Sequence, residues 1–461
     1  MSKHLLIISS LIFLFLFSCK KDSFITSSDA KINFSADTIY FDTVFVSTGS
    51  ITQSVKIINQ NNQKILLKDV KLMGGSNSVF KINIDGSNTN EATNIEIEAN
   101  DSIYVFVSVL INPNNSNFPF VLQDSIQVSF NGNQKYIQLQ AYGQNAHFLR
   151  SEEISSNTVW TNDLPYVILG GLQIDSGFSL TIQKGCNIYL HADAPFIVNG
   201  TLNVQGISSS RVNFSGDRLD EPYKNYPASW PGIYFGSSSQ DNVMQFAVIQ
   251  NSYQGVVAQN LSTDANPKIT LNDCILNNIY DAAILGTLTN ITAQNCLVSN
   301  CGKNVLLQYG GNYSFTNCTI ASYTNNYIAH SNPVLSISDN FSGFTADLNA
   351  DFINCIFWGS SGSVDNEVVT SQQGNNIFKI NFDHSLWRMK EIPSNINSTN
   401  MITVDPMFDS IDNVRMFYDF HLKAGSPAID YGVLTGIPFD LDGNQRISGS
   451  ATDLGCYERQ Q

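Results

Sequence analysis

The chain has 461 residues, a net charge of −15 and a pI near 4.7. That length exceeds one ordinary core, so two or more domains are expected. The acid excess, with no basic stripe, speaks against nucleic acid as a partner and leaves metal ions and neutral glycans open; charged residues are only 14%, which suits a protein of short strands and polar corners.

Residues 1–18 read as a signal peptide. Lys3 supplies the positive start, and residues 5–17 form an apolar run too short to span a bilayer comfortably. Leu16-Phe17-Ser18-Cys19 resembles the lipobox of bacterial lipoproteins. The resemblance implies cleavage before Cys19 and a lipid on its thiol, with residues 19–30 as a polar tether. Two or three acyl chains anchor a protein where one does not.

Residues 31–148 alternate apolar and polar, as in Ile95-Glu96-Ile97-Glu98 and Ile137-Gln138-Leu139-Gln140. Period two with polar outer faces predicts antiparallel strands packed on one side. Turn clusters divide the segment into about eight strands, and an immunoglobulin-like β-sandwich is expected. The stretch 103–111 is apolar on both faces and reads as a central strand. Residues 145–157 are polar and read as a linker.

From residue 149 to 403 the strands shorten and Gly, Asn and Ser mark corners. One phrase is written four times: Asn272-Asp273-Cys274-Ile275, Gln294-Asn295-Cys296-Leu297, Thr316-Asn317-Cys318-Thr319 and Ile353-Asn354-Cys355-Ile356. The first three cysteines stand 22 residues apart, and the fourth follows after 37. Gln245-Phe246-Ala247 is a copy without cysteine. No copy holds the long i, i+3, i+4 pattern that helical repeats need. Three short strands per period predict a parallel β-helix, whose coils stack at roughly 4.8 Å. The cysteines then form a buried inward ladder of free thiols, with Cys296–Cys301 as a local exception; neighbouring rungs come within disulfide reach, but their parallel side chains do not supply the near-90° torsion. Asn251, Asn278, Asn300 and Ser322, four residues beyond each Ala or Cys, are expected to form an amide ladder at a corner. Residues 404–461 are expected to cap the far end.

Four blocks carry a likeness to a known group: 37–45, 216–233, Gly425-Ser426-Pro427-Ala428-Ile429-Asp430, and Asp453-Leu454-Gly455-Cys456-Tyr457-Glu458. Together they resemble bacterial surface lipoproteins with a right-handed, pectate-lyase-like parallel β-helix. The last two blocks resemble a choice-of-anchor Q tail, with Cys456 where Ala is usual. The resemblance implies an all-β protein of the cell envelope, an outer-membrane lipoprotein, and no particular activity.

Two places suggest chemistry. Residues 218–234 are too long for a corner and carry Arg218, Asp220, Glu221, Tyr223, Tyr226 and Trp230. Exposed aromatics beside carboxylates and an arginine are what sugar stacking and hydroxyl bonding require, and long loops on rigid scaffolds often bind. The contrasting expectation is that these rings pack the loop down, with Trp230 against the coil. Asp440-Leu441-Asp442-Gly443-Asn444 looks like the start of a calcium loop, with Asp440, Asp442 and Asn444 as weak ligands; the twelfth position is Ala451 where an EF-hand needs Glu. A tight turn with Arg446 paired to Asp453 or Glu458 is the plainer reading. No catalytic residues stand out and no cofactor other than Ca²⁺ is suggested. Two basic residues in 245–358, Lys268 and Lys303, are few for a polysaccharide lyase, and no carboxylate ladder suits a glycosidase. Non-catalytic glycan binding or surface display is therefore expected, with a lyase or glycosidase, or a structural adhesin, as the alternatives.

Overall fold

The computed structural model describes residues 23–45, 49–111, 120–360 and 362–460. Cys19 lies outside the described residues. Among them the protein is all-β, with two short 3-10 turns and no α-helix. The chain divides into two compact units, 1–145 and 146–461.

The first unit holds two five-stranded sheets. One runs Ile32–Phe34, Gln53–Asn59, Ser102–Val109, Phe80–Ile84 and Ser87–Asn88, antiparallel throughout. The other runs Thr38–Phe45, Asn133–Gln144, Phe120–Phe130, Ile65–Leu72 and Glu91–Ile97. It is antiparallel apart from the parallel pairing of its first two strands. The alternating sequence places Val55, Val105, Leu67 and Val128 inside, and Phe41 meets Phe80 across the sheets at 6.1 Å. Each sheet thus buries one face, as the period-two pattern requires. Ser102–Val109 is central, as expected, but only one of its two faces is buried. Tyr104 and Phe106 remain exposed and stack on one another at 5.7 Å.

The second unit is a 24-stranded parallel sheet wound into stacked coils. Tyr166–Ile174, Ser179–Gln183 and Asn187–Leu190 complete one turn and pair in order with Phe196–Val198, Thr201–Gln205 and Val212–Gly216 of the next. The stretch expected to be a linker belongs here: His147–Ile154 pairs with Tyr166–Ile174 and opens the stack. Its polarity misled because this strand buries little beyond Ile154.

The repeat governs the interior. Ile275 pairs with Leu297, Leu297 with Thr319 and Thr319 with Ile356, so the preceding cysteines stand over one another. Cys274, Cys296, Cys318 and Cys355 are fully buried, and all seven cysteines of the described residues, Cys301 included, are free thiols. Ala247 holds the same rung one coil earlier, since Val248 pairs with Ile275. A second interior stack runs Phe315, Phe352, Phe382 at 5.4 and 4.7 Å.

The expected asparagine ladder forms one link, Asn278 Nδ2 to Asn251 Oδ1 at 2.8 Å. Asn300 instead accepts the backbone N–H of Tyr323, and the Ser322 hydroxyl turns to Cys301 O. A longer ladder stands one residue before each cysteine. Asn295 donates to Asp273 at 2.9 Å, Asn317 to Asn295 at 3.5 Å and Asn354 to Asn317 at 2.9 Å. All four residues hold φ near +50°, a left-handed corner that Asn and Asp tolerate best after Gly.

Residues 404–461 do not sit over an end of the stack. They run along its flank, docked on that second ladder. Asn295 donates to Phe439 O, Asn354 to Val433 O, and Thr319 Oγ1 accepts the N–H of Cys456. Outward Leu297, Ala321, Ile356 and Leu386 pack with Phe408, Phe420, Leu454 and Cys456 of the tail. Apolar outward residues on successive coils gave the tail a stripe to cover.

Candidate functional site

The strand Val212–Gly216 ends where the long loop begins. A Cβ at Gly216 would lie 2.4 Å from Ser229 Oγ, so glycine lets the two ends of the loop close into a neck. Ser229 N–H and its hydroxyl both bond Asn251 O at 2.8 and 2.7 Å. Asn251 Nδ2 donates to Lys224 O and Asn278 Nδ2 to Asn225 O, at 2.7 and 2.9 Å. The corner asparagines therefore hold the loop to the stack.

The loop residues singled out by sequence come together, but with each other. Arg218 makes a two-pronged bond to Asp220 at 2.8 and 3.0 Å, and its guanidinium lies 4.0 Å from the centre of the Tyr223 ring. Tyr223 meets Tyr226 edge-on at 5.2 Å, and Tyr226 meets Tyr327 at 5.1 Å. Glu221 pairs with Lys224 at 2.6 Å. Both tyrosines remain more than a third exposed. Trp230 is buried, with its indole N–H on Gln250 O at 2.9 Å.

Beside this loop lies a groove of about 560 Å³. Its floor is the outward face of the coils: Asn187, Asn213, Gln250 and Asn277. One wall is Leu219, Lys224 and Asn225 of the loop. The other is Arg415, Met416 and Tyr418 of the tail, at the tip of the hairpin formed by Phe408–Asp412 and Phe417–Leu422. The lining is rich in amides and holds two cations and no carboxylate. Neutral amides offer both donors and acceptors, which matches a ligand dense in hydroxyls. Two lining side chains, Asn278 through Oδ1 and Tyr418 through its hydroxyl, bury a polar atom with no hydrogen-bond partner among the described residues. Next to Gly216, burial raises the Asp217 carboxyl against the hydrogen bond from His191 at 2.7 Å.

The floor and the hairpin wall were missed from sequence. The floor had a readable signal, Asn, Gln or Ser at outward positions of consecutive strands. The hairpin had none, because its place depends on where the tail docks.

The calcium-loop candidates are tied up locally. Asp440 is buried and accepts the N–H groups of Asp442, Asn444 and Glu458. Asp442 turns to His421 at 3.0 Å and lies 3.7 Å from Arg211, and Asn444 Nδ2 points back to Asp440 at 3.4 Å. Arg446 is buried against Asn295 and 3.9 Å from Glu458. Among the described residues no three His, Cys, Asp or Glu side chains group as metal ligands.

No protein-family model matches the chain, and no curated protein does. Partial likenesses exist among solved structures. A family 123 glycoside hydrolase from Clostridium perfringens, studied for glycolipid glycan hydrolysis, aligns at 10% identity and TM-score 0.20 over 29% of this chain and 30% of that one. A protein of unknown function from Porphyromonas gingivalis aligns at 7% and 0.19, over 27% and 60%. The Salmonella enterica SafA pilin with its SafB chaperone aligns at 11% and 0.18, over 26% and 56%. The chain thus spans less than two thirds of each, and the overlaps are too partial to carry over fold or activity.

Proposed function

We propose that this is a lipid-anchored protein of the cell envelope, held in the outer membrane through Cys19, that binds glycan without reacting with it. The groove between the loop and the tail hairpin is the binding site. The observation that carries this reading is the lining, a floor of amides with Tyr189 and Tyr418 beside them. On this reading the stack is a right-handed β-helix and the first unit an immunoglobulin-like spacer. The Arg218, Asp220, Glu221, Tyr223 and Tyr226 network then braces the wall instead of contacting sugar directly.

A hydrolase is the second reading, favoured by the raised Asp217 beside the groove. Such an enzyme needs a second carboxylate across the sugar at about 5–9.5 Å, and the lining supplies amides there. Display without a ligand, as in a structural adhesin, would leave the amide floor without a purpose.

A glycan array probed with the soluble chain from Ser23 tests the reading. Gln250→Ala combined with Asn277→Ala should reduce binding to any positive glycan at least tenfold while the melting temperature stays within a degree or two. Unchanged binding would place the site elsewhere.

A further inference from the structure

One row of the groove's floor, beside the pair Asn187 and Asn213, is in register. Tyr189 pairs with Ser215, Phe214 with Ile249, Gln250 with Asn277 and Asn277 with Ser299. The next rung, Ala321, pairs with Ser299, but it is fully buried under Phe408 and Phe420 of the tail. At that point the lining leaves the coils for Arg415, Met416 and Tyr418. Tyr189, Ser215, Gln250 and Asn277 line the groove, so the row stays polar over four coils; Ser299 is already buried, and the wall follows.

Resting on the glycan-binding reading, we infer that the groove takes the terminus of an uncharged glycan chain, inserted along the coil axis with its last sugar against the hairpin tip. An internal segment lying along the axis would have to leave at both ends, and the hairpin closes one. Coils advance by roughly 4.8 Å, near the advance of one sugar in an extended chain, so successive sugars meet successive rungs. The wall is held in place. Asp412 Oδ1 accepts the N–H groups of Val414 and Arg415 at 3.0 and 2.9 Å, fixing the tip. The Tyr418 ring lies 6.4 Å from Tyr323 and 6.3 Å from Phe420. The two wall cations each have a carboxylate nearby, Glu221 for Lys224 and Asp412 for Arg415, so they do not call for an acidic sugar.

The test uses cello- and manno-oligosaccharides of graded length in three forms: free, tagged with 2-aminobenzamide at the reducing end, and blocked as a 4,6-acetal at the other end. Calorimetry on the soluble full chain should show one series binding, with one of the two blocks reducing affinity at least tenfold and the other leaving it unchanged. Affinity per chain should stop rising once the chain fills the floor. Met416→Gly removes a side chain from the closed end, and its φ of +53° is one that glycine adopts freely. This variant should recover several-fold of the affinity lost to the harmful block. If chains blocked at both ends bind as well as free ones, the groove takes internal segments and the inference falls while glycan binding stands. If no series binds, both fall.

Discussion

Cysteine recurs at one inward rung of the repeat, in an interior where a small apolar side chain fits each rung. Burial pushes the Cys296 and Cys355 thiols well above the usual range and raises Cys301 to about 12. Such thiols are poor nucleophiles. Cys318, where burial is outweighed by hydrogen bonds with Cys296 and Cys355 that pull the other way, is fully buried. The folded protein should therefore not react with a thiol reagent, and the denatured, unreduced soluble chain should titrate seven groups. Finding them in bridges would overturn the ladder. Cys296 donates weakly to the carbonyls of Gln294 or Leu271 at 3.3 and 3.4 Å. Cys296→Ser keeps an acceptor in reach but buries a more polar group, and should lower stability by about 1–3 kcal/mol in urea unfolding. Asparagine is the corner residue for the complementary reason. It tolerates the left-handed turn and its amide bonds along the axis, so the short Asn-Cys phrase specifies an inward rung and a corner together.

Among the elements, the loop and the tail divide their tasks differently than the sequence suggested. Trp230→Ala should cost about 3–5 kcal/mol, since a large buried ring is lost. Tyr223→Ala with Tyr226→Ala, which would abolish glycan binding were the rings contacting sugar, should instead lower the melting temperature slightly and weaken binding only as the wall loosens. Measuring both properties on both variants separates these accounts. The tail carries a charge clamp. His421 lies between Asp442 and Asp419 and stacks on Tyr457 at 3.9 Å. Hydrogen bonding to Asp442, and then to Asp419, lifts its pKa from 6.5 to about 9. Folding therefore favours the protonated ring. That stabilisation is complete below pH 6.5 and is lost as pH rises through 9. Burial lifts Glu458 to about 7, so its ionisation also weakens the fold, but in the lower window between 4.5 and 7. The melting temperature should fall from pH 6.5 to 9, and His421→Gln should flatten that limb alone. A wild-type curve already flat above pH 6.5 would remove the clamp.

At the scale of the molecule, anchoring is tested by Cys19→Ala, which should leave the protein unprocessed or release it from the membrane fraction; unchanged mass and retention would refute lipidation. Most of the architecture was legible in the chain. Period two gave paired sheets, and the 22-residue period gave stacked coils with their cysteine rung. What stayed hidden were arrangements set by contact between distant segments. His147–Ile154 read as linker because a first strand has little to bury. The groove needed both the floor pattern, visible in Gln250 and Asn277, and the hairpin at Arg415, whose position no local pattern encodes. The docked tail has one more consequence. A stack of like coils has no inherent length, since each rung can be followed by another. The tail touches Asn295, Thr319 and Asn354 at fixed intervals, so it works as a ruler laid against the column. A coil gained or lost beneath it would put its marks out of step, and the number of turns is thereby counted by a segment that belongs to none of them.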